Sequence, residues 1–218
     1  MGINKNFDPR YWIRRYRLGS FDRKYGTDTL FFFKKNESAK VSSINKDNKG
    51  YTSIKNVEVL KDAFQNSPVK LNNLIFLDIG CGKGRPLMEA LLMPFKEVIG
   101  IEIDPKIAEI AKSNLYKFKK KLNIHTPTKI ITSDFAVSDL PKGNLFIFLN
   151  QPFGELSTKL LLDKIVKHKG KATICYCKPT FGYIFDESLE KVKYDDKKEI
   201  HGANHINFWI KAKPKKID

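Results

Sequence analysis

The chain has 218 residues, 41% hydrophobic and 12% aromatic, with a net charge of +16, which is enough to bury a core and suits one domain with room for an appendage. No apolar run approaches the roughly 20 residues that span a bilayer, MGINKNFDPRYWIRRYRL has no apolar segment behind its positive charges, and Asn6 stands where a myristoylation signal wants Ser or Thr, so neither export nor a membrane anchor is expected. Three cysteines, Cys81, Cys175 and Cys177, neither pair evenly nor supply four metal ligands, which fits a reducing cytoplasm.

Reading along the chain, five of the six arginines, Arg10, Arg14, Arg15, Arg17 and Arg23, fall in the first 25 residues, among Tyr11, Trp12 and Tyr16. Residues 1–70 carry 15 basic and 7 acidic groups, half of the positive excess on a third of the chain. Such a cluster, Arg14 and Arg15 included, either grips a polyanion through phosphates and stacking or is the solvated face of a first helix whose aromatics pack inward. The polar stretch 34–53 reads as a long loop. Ile54, Val57, Leu60, Ala63 and Phe64 then fall at helical spacing before Pro68, so a helix over 54–66 is expected. The pattern changes character near residue 71, which divides the chain into a basic N-terminal extension, 1–70, and a second domain, 71–218.

From Leu74 strand and helix signals alternate. LIFLD (74–78) is a short apolar run, RPLMEALLM (85–93) a helix with Pro86 in its first turn, and VIGIE (98–102) a second strand. Asp104 can cap the next helix and Pro105 suits its first turn, while Ile107, Ile110, Ala111, Leu115, Phe118 and Leu122 form one apolar stripe. KFKKK (117–121) falls near that helix's C-terminus, where lysines favour the dipole. TKIITSD (128–134) and LFIFLN (145–150) read as strands, 155–168 as a helix, ATICYC (172–177) as a strand, and LEKVKYD with INFWIKAK as a closing pair. The C-x-C pair puts both sulfurs on one strand face, where they suit buried packing. The alternation implies an α/β fold, a mostly parallel sheet covered on both faces, with an antiparallel ending because no strong helix joins the last two strands.

FLDIGCGKGR (76–85) sets Gly80, Gly82 and Gly84 between a strand's C-terminal end and a helix N-terminus, the place where open α/β sheets bind ligands. Glu102 closes the next strand 22 residues after Gly80, near the spacing at which an acid meets ribose hydroxyls. A nucleoside is therefore expected. The spacing is G-x-G-x-G, with Arg85 where the dinucleotide fingerprint wants its third glycine, which argues against a pyrophosphate and against a nicotinamide oxidoreductase.

In order and at successive strand ends, these motifs resemble class I S-adenosylmethionine-dependent methyltransferases over roughly residues 71–218. DIGCGKG (78–84) is similar to the family's first motif, Glu102 to its ribose acid, and Asp134 in TSDF to its adenine-side acid. The resemblance implies a Rossmann-like, seven-stranded sheet with an antiparallel last strand. It also implies S-adenosyl-L-methionine as cofactor, S-adenosyl-L-homocysteine as product, and Asp78, Gly80, Cys81, Gly82, Gly84, Glu102, Ile103, Asp134 and Phe135 as cofactor-binding residues. FDRKYGTDT (21–29) is similar to the preamble F-D-x-x-Y/F-G-x-D-T of a group of largely uncharacterised bacterial methyltransferases. Gly26 and Asp28 suggest an ordered turn, from which Tyr25, Asp28 and Thr29 either reach the cofactor or substrate, or pack against the sheet edge.

FLNQPFG (148–154) resembles the N-P-P-F/Y motif of amino-group methyltransferases, with Gln151 in place of the first proline. An amide oxygen and the next carbonyl there accept hydrogen bonds from the target nitrogen and aim its lone pair, without a base. The resemblance makes Asn150, Gln151, Pro152 and Phe153 the candidate catalytic residues, with either Asn150 or Gln151 supplying the amide, Pro152 stiffening the turn and Phe153 as a stacking platform. Displacement at a sulfonium methyl needs alignment and exclusion of water rather than a metal, and His125, His168, His201 and His205 lack ligand spacing. The expected function is methylation of an amino or amide nitrogen on RNA or protein. A small-molecule methyltransferase and a non-catalytic nucleic-acid-binding module remain as alternatives.

Overall fold

A computed structural model of the chain describes residues 16, 19–30, 57–150, 153–192 and 206–211. The strands are β1 (Ile75–Ile79), β2 (Glu97–Glu102), β3 (Thr128–Thr132), β4 (Leu145–Asn150), β5 (Ala172–Cys177), β6 (Glu190–Val192) and β7 (Ile206–Lys211). The helices are α1 (Ser20–Tyr25), α2 (Val57–Gln65), α3 (Arg85–Ala90), α4 (Pro105–Leu122), α5 (Glu155–Lys167) and α6 (Tyr183–Asp186).

Strands β1 and β5 are buried at every position, the pattern of strands covered on both faces, which is why they read as continuous apolar runs rather than alternations. One seven-stranded sheet results, in the order β3-β2-β1-β4-β5-β7-β6. All pairings are parallel except those of β7, which runs antiparallel to both β5 and β6. The chain therefore has the expected Rossmann-like sheet and antiparallel last strand. Strand order reverses between β1 and β4, which opens a crevice beyond their C-terminal ends.

The two faces of the sheet differ. One is rich in aromatics: Phe76, Phe146, Phe148 and Phe208 from the strands meet Phe64 of α2, Phe95, and Leu115 and Phe118 of α4. The other is mostly aliphatic, with Leu77, Ile79, Ile99, Ile101, Ile147 and Leu149 against Leu161, Leu162 and Ile165 of α5. Each such side chain, fully buried, contributes about 1.5–3 kcal/mol of transfer free energy. The described parts of residues 1–70 share this core, since Leu60, Ala63 and Phe64 are buried in the aromatic cluster and Phe21 and Tyr25 pack against it.

Local chemistry sets the helix ends. Asp104 Oδ1 accepts hydrogen bonds from the N–H groups of Lys106 (2.8 Å) and Ile107 (3.3 Å), capping α4, an arrangement worth about 1 kcal/mol. Lys119, Lys120 and Lys121 occupy its last turn and Asn123, in the left-handed conformation, closes it. Helix α3 stops at Ala90 rather than running to Met93: Leu92 N–H bonds back to Glu89 O and Met93 N–H to Ala90 O in tighter turns, because Pro94 disfavours helical geometry in the residue before it. No helix among the described residues is long and apolar enough to cross a membrane.

Candidate active site

The glycine loop is shaped by backbone rather than side chains. Gly80 and Cys81 donate their N–H groups to Ile101 O of the neighbouring strand, at 2.8 and 3.0 Å, which turns the chain sharply off the end of β1. Gly80, Gly82 and Gly84 have φ of 78°, 53° and 81°; a side chain at Gly82 or Gly84 would meet the penalty of roughly 1–2 kcal/mol for left-handed L-residues. Gly82 N–H donates to Glu102 Oε2 at 2.8 Å and Asp104 N–H to Glu102 Oε1 at 3.0 Å, so one carboxylate fastens the loop to the turn that begins α4. Strand β2 gives way to this loop at Gly100, where a Cβ would lie 2.6 Å from Cys81 Sγ and 2.8 Å from Leu87 Cδ1.

Asp78 lies beside Gly100 in the sheet register and is 2% exposed. Its Oδ2 finds no hydrogen-bond partner among the described residues. Burial, and secondarily the nearby Glu102 carboxylate, push the Asp78 carboxyl well above the usual range. Burial also raises Glu102, against the lowering effect of the N–H groups of Asp104 and Gly82. Two buried acids at neighbouring strand ends, one with an unmatched oxygen, form a site that a cation or hydroxyl donor would relieve. The ammonium and ribose hydroxyls of S-adenosylmethionine are groups of that kind, so the donor set fits this cofactor.

Along β4, Phe148 lies beside Asp78 and Asn150 beside Cys177. Asn150 thus stands two residues beyond Asp78's partner, level with Gly80, about 7 Å further along the strand direction. Asn150 is half-buried, and Gln151 and Pro152 lie outside the described residues. Phe153 is buried and its ring lies 4.3 Å from that of Phe135, so the loops after β3 and β4 meet through these two aromatics. Asp134, half-buried, accepts the Ala136 N–H at Oδ1 (2.9 Å), while its backbone carbonyl accepts Val137 and Ser138 N–H, an Asx-type turn. Ile103 is half-buried between Glu102 and Asp104.

Of the N-terminal candidates, Tyr25 packs its ring against Phe21 and Phe118 at 4.5 and 4.7 Å. Thr29 is buried and bonds to Asp22 through both N–H and Oγ1. Asp28 reaches the glycine loop, accepting from Lys83 Nζ at 3.0 Å through Oδ1 and 3.1 Å through Oδ2. Arg14 and Arg15 lie outside the described residues; Arg23 stacks over the Tyr16 ring at 3.8 Å. Lys83, 2% exposed, and Asn114, 1% exposed, belong to the site but were not singled out from sequence. Asn114 carried a signal, being polar at a stripe position three residues after Ala111 and four before Phe118; Lys83 carried none.

The cysteines are not nucleophiles. Burial pushes the thiols of Cys81 and Cys175 well up and that of Cys177 to about 11 despite Lys178, so all three stay protonated at neutral pH. His168 Nε2 sits 2.7 Å from Gly143 O, while His201 and His205 lie outside the described residues. Among the described residues no three His, Cys, Asp or Glu side chains cluster as metal ligands.

No family model matches the chain. It is 30% identical over 104 residues to a ribosomal protein L11 methyltransferase of a Psychrobacter species, covering 46% of this chain and 33% of that protein. It is 34% identical over 105 residues to a histone-lysine N-methyltransferase specific for H3 lysine-79 from Dictyostelium discoideum, covering 43% of this chain and 6% of the relative. The chain thus spans at most about a third of these relatives' lengths. Among solved structures, a candidate RNA methyltransferase from Pyrococcus horikoshii superposes over 94% of this chain and 98% of its own, with a TM-score of 0.53 and 19% identity. With the strand order and the glycine loop, this likeness gives the chain the class I S-adenosylmethionine-dependent methyltransferase fold.

Proposed function

We propose that the chain is an S-adenosylmethionine-dependent methyltransferase acting on an amino or amide nitrogen of RNA or protein. The observation that carries the reading is the buried Asp78 carboxylate, one oxygen unmatched, at a strand end between a left-handed glycine loop and Glu102. When bound, S-adenosylmethionine supplies an electrophilic methyl carbon on a sulfonium. Asp78 would hold the ammonium of its methionine part and Glu102 its ribose hydroxyls. Asp134 and Phe135 would border the adenine, with Ile103 beside them, and the bare backbone of Gly80, Cys81, Gly82 and Gly84 would let the nucleoside lie close.

At the acceptor side, the amide oxygen of Asn150 or Gln151 accepts a hydrogen bond from the target N–H and turns the lone pair toward the methyl carbon, while Pro152 fixes the turn and Phe153 covers the acceptor plane. No charged base is needed for a neutral amine, whose proton can leave to solvent after transfer. Relatives named for a ribosomal protein and a histone lysine and a neighbour named for RNA support a macromolecular acceptor, and the 1–70 extension with Arg14 and Arg15 supplies charge for RNA.

Calorimetry with S-adenosylhomocysteine, followed by radiolabelled methyl transfer into fractionated RNA, protein and metabolite pools, tests the reading. Nucleoside binding and label in an amine of RNA or protein is the expected result. Tight NADH binding without response to S-adenosylmethionine, or label on oxygen or ring carbon, would overturn it.

A further inference from the structure

The 21–29 segment is held by its own turn and by α4, and through Asp28 it reaches one buried lysine, Lys83. Asp22 organises the turn: Oδ1 accepts from Thr27 Oγ1 (2.7 Å) and Thr29 Oγ1 (2.8 Å), and Oδ2 from Thr29 N–H (2.9 Å). Gly26, with φ 69°, ends α1 in the left-handed conformation, which reverses the chain after one short helix. Phe21 stacks on Phe118 at 5.6 Å and lies 3.2 Å beneath the Arg85 guanidinium carbon. This scaffold delivers Asp28 to the buried Lys83 ammonium. Asn114 of α4 completes the contact. Its Oδ1 accepts the Asp28 N–H, and its Nδ2 donates to both Asp28 O and Lys83 O, each at 2.9 Å. The residues flanking Gly84, Lys83 and Arg85, are therefore both held by the N-terminal segment.

We propose that this segment is the keeper of the cofactor loop: Asp28, acting through Lys83 and Asn114, fixes the Gly82–Lys83–Gly84 backbone in its nucleoside-binding form, which makes all three positioning residues rather than substrate contacts. The proposal rests on the methyltransferase reading above. Gly82 and Gly84 have no side chains of their own to hold them, and glycine is the residue whose backbone loses most freedom on ordering. Lys83 is the side chain between them, and a carboxylate from outside the loop anchors it where it is nearly sealed from water. A loop left to sample other conformations binds in proportion to the fraction of time it is competent, so loosening it weakens apparent affinity without touching a cofactor contact.

The test uses the full chain with S-adenosylhomocysteine as probe. Affinity by calorimetry, melting temperature, and amide exchange of Gly82, Lys83 and Gly84 are measured for wild type, Asp28→Asn, Asp28→Glu and Asn114→Ala. Asp28→Asn and Asn114→Ala should weaken binding roughly 10-fold, as a loop competent about a tenth of the time would, and speed exchange at the three amides. Asp28→Glu, which keeps the charge, should recover most of the affinity. Unchanged affinity in Asp28→Asn and Asn114→Ala, with or without a lower melting temperature, would overturn the proposal by reducing the contact to packing. Equal weakening by Asp28→Asn and Asp28→Glu with unaltered loop exchange would overturn it in favour of a direct contact. A wild type that binds no nucleoside would overturn the methyltransferase reading itself, and this proposal with it.

Discussion

The C-terminal ends of β1 and β4 lie side by side in the sheet and are built by different means. Beyond β1 the chain is shaped by backbone: three left-handed glycines, N–H groups tied to Ile101 O and Glu102, and a buried lysine, Lys83, paired with Asp28. At the end of β4 the candidate chemistry belongs to side chains, an amide at Asn150 or Gln151 and the ring of Phe153, which packs on Phe135 from the loop after β3. A backbone-built half binds a part common to many reactions and tolerates few residue types.

The largest expected effect separates the halves by kinetics. Changing Asn150 and Gln151 singly to Ala should leave S-adenosylhomocysteine affinity nearly intact while one of the two lowers methyl transfer by roughly 100-fold or more, the behaviour of a group that acts in the transition state. If neither slows transfer, the acceptor half is misplaced. Next in size, Asp78→Ala or Glu102→Ala should weaken nucleoside binding by roughly 1–3 kcal/mol, the cost of unmatched polar partners, measured by calorimetry.

A third test turns on stability. Because the Asp78 carboxyl titrates above its ordinary range, between those two values the folded chain keeps a proton that the unfolded chain has lost. Folding stability of the free protein therefore falls as pH rises through that window. Asp78→Asn lacks this liability, so its melting temperature should rise above wild type, with a gap that widens as pH rises from the ordinary carboxyl range towards the raised folded value, even as it binds the nucleoside less well. A constant gap would mean that the carboxylate is matched in solution.

The smallest effect probes the basic extension. Replacing Arg14, Arg15 and Arg17 by Gln should flatten the salt dependence of RNA binding by up to about 0.7 per phosphate contact on a log-log plot, and leave nucleoside affinity unchanged. A salt-insensitive activity unaffected by the replacement would make these arginines a solvated helix face.

The contrast also explains what could be read from sequence. The β1 half was legible because glycine spacing, an acid closing each of two strands and Asp104–Pro105 are requirements of backbone geometry, and geometry leaves few substitutes. The mostly parallel sheet followed from alternation and its antiparallel ending from the missing helix between the last two strands, while the seven-stranded arrangement came from the family resemblance. Lys83 was not legible, since any residue fits the x of G-x-G-x-G and its role depends on Asp28, 55 positions away. Gly100 was passed over because a glycine in a strand gives no hint of what presses against it. For Tyr25 and Thr29 the turn chemistry leaves ligand contact and packing both open, and the contacts described run to Phe118 and Asp22.

The most direct test of the central claim, that the β1 end holds S-adenosylmethionine through Asp78, is a calorimetric titration of wild type and Asp78→Ala with S-adenosylhomocysteine in two buffers of different ionisation enthalpy. Because the raised Asp78 carboxyl must ionise to meet an ammonium, binding at any pH where the free carboxyl still holds its proton should release protons in wild type, and both the affinity and the buffer-dependent heat should fall in Asp78→Ala. Equal affinity and equal heats in the two proteins would contradict it.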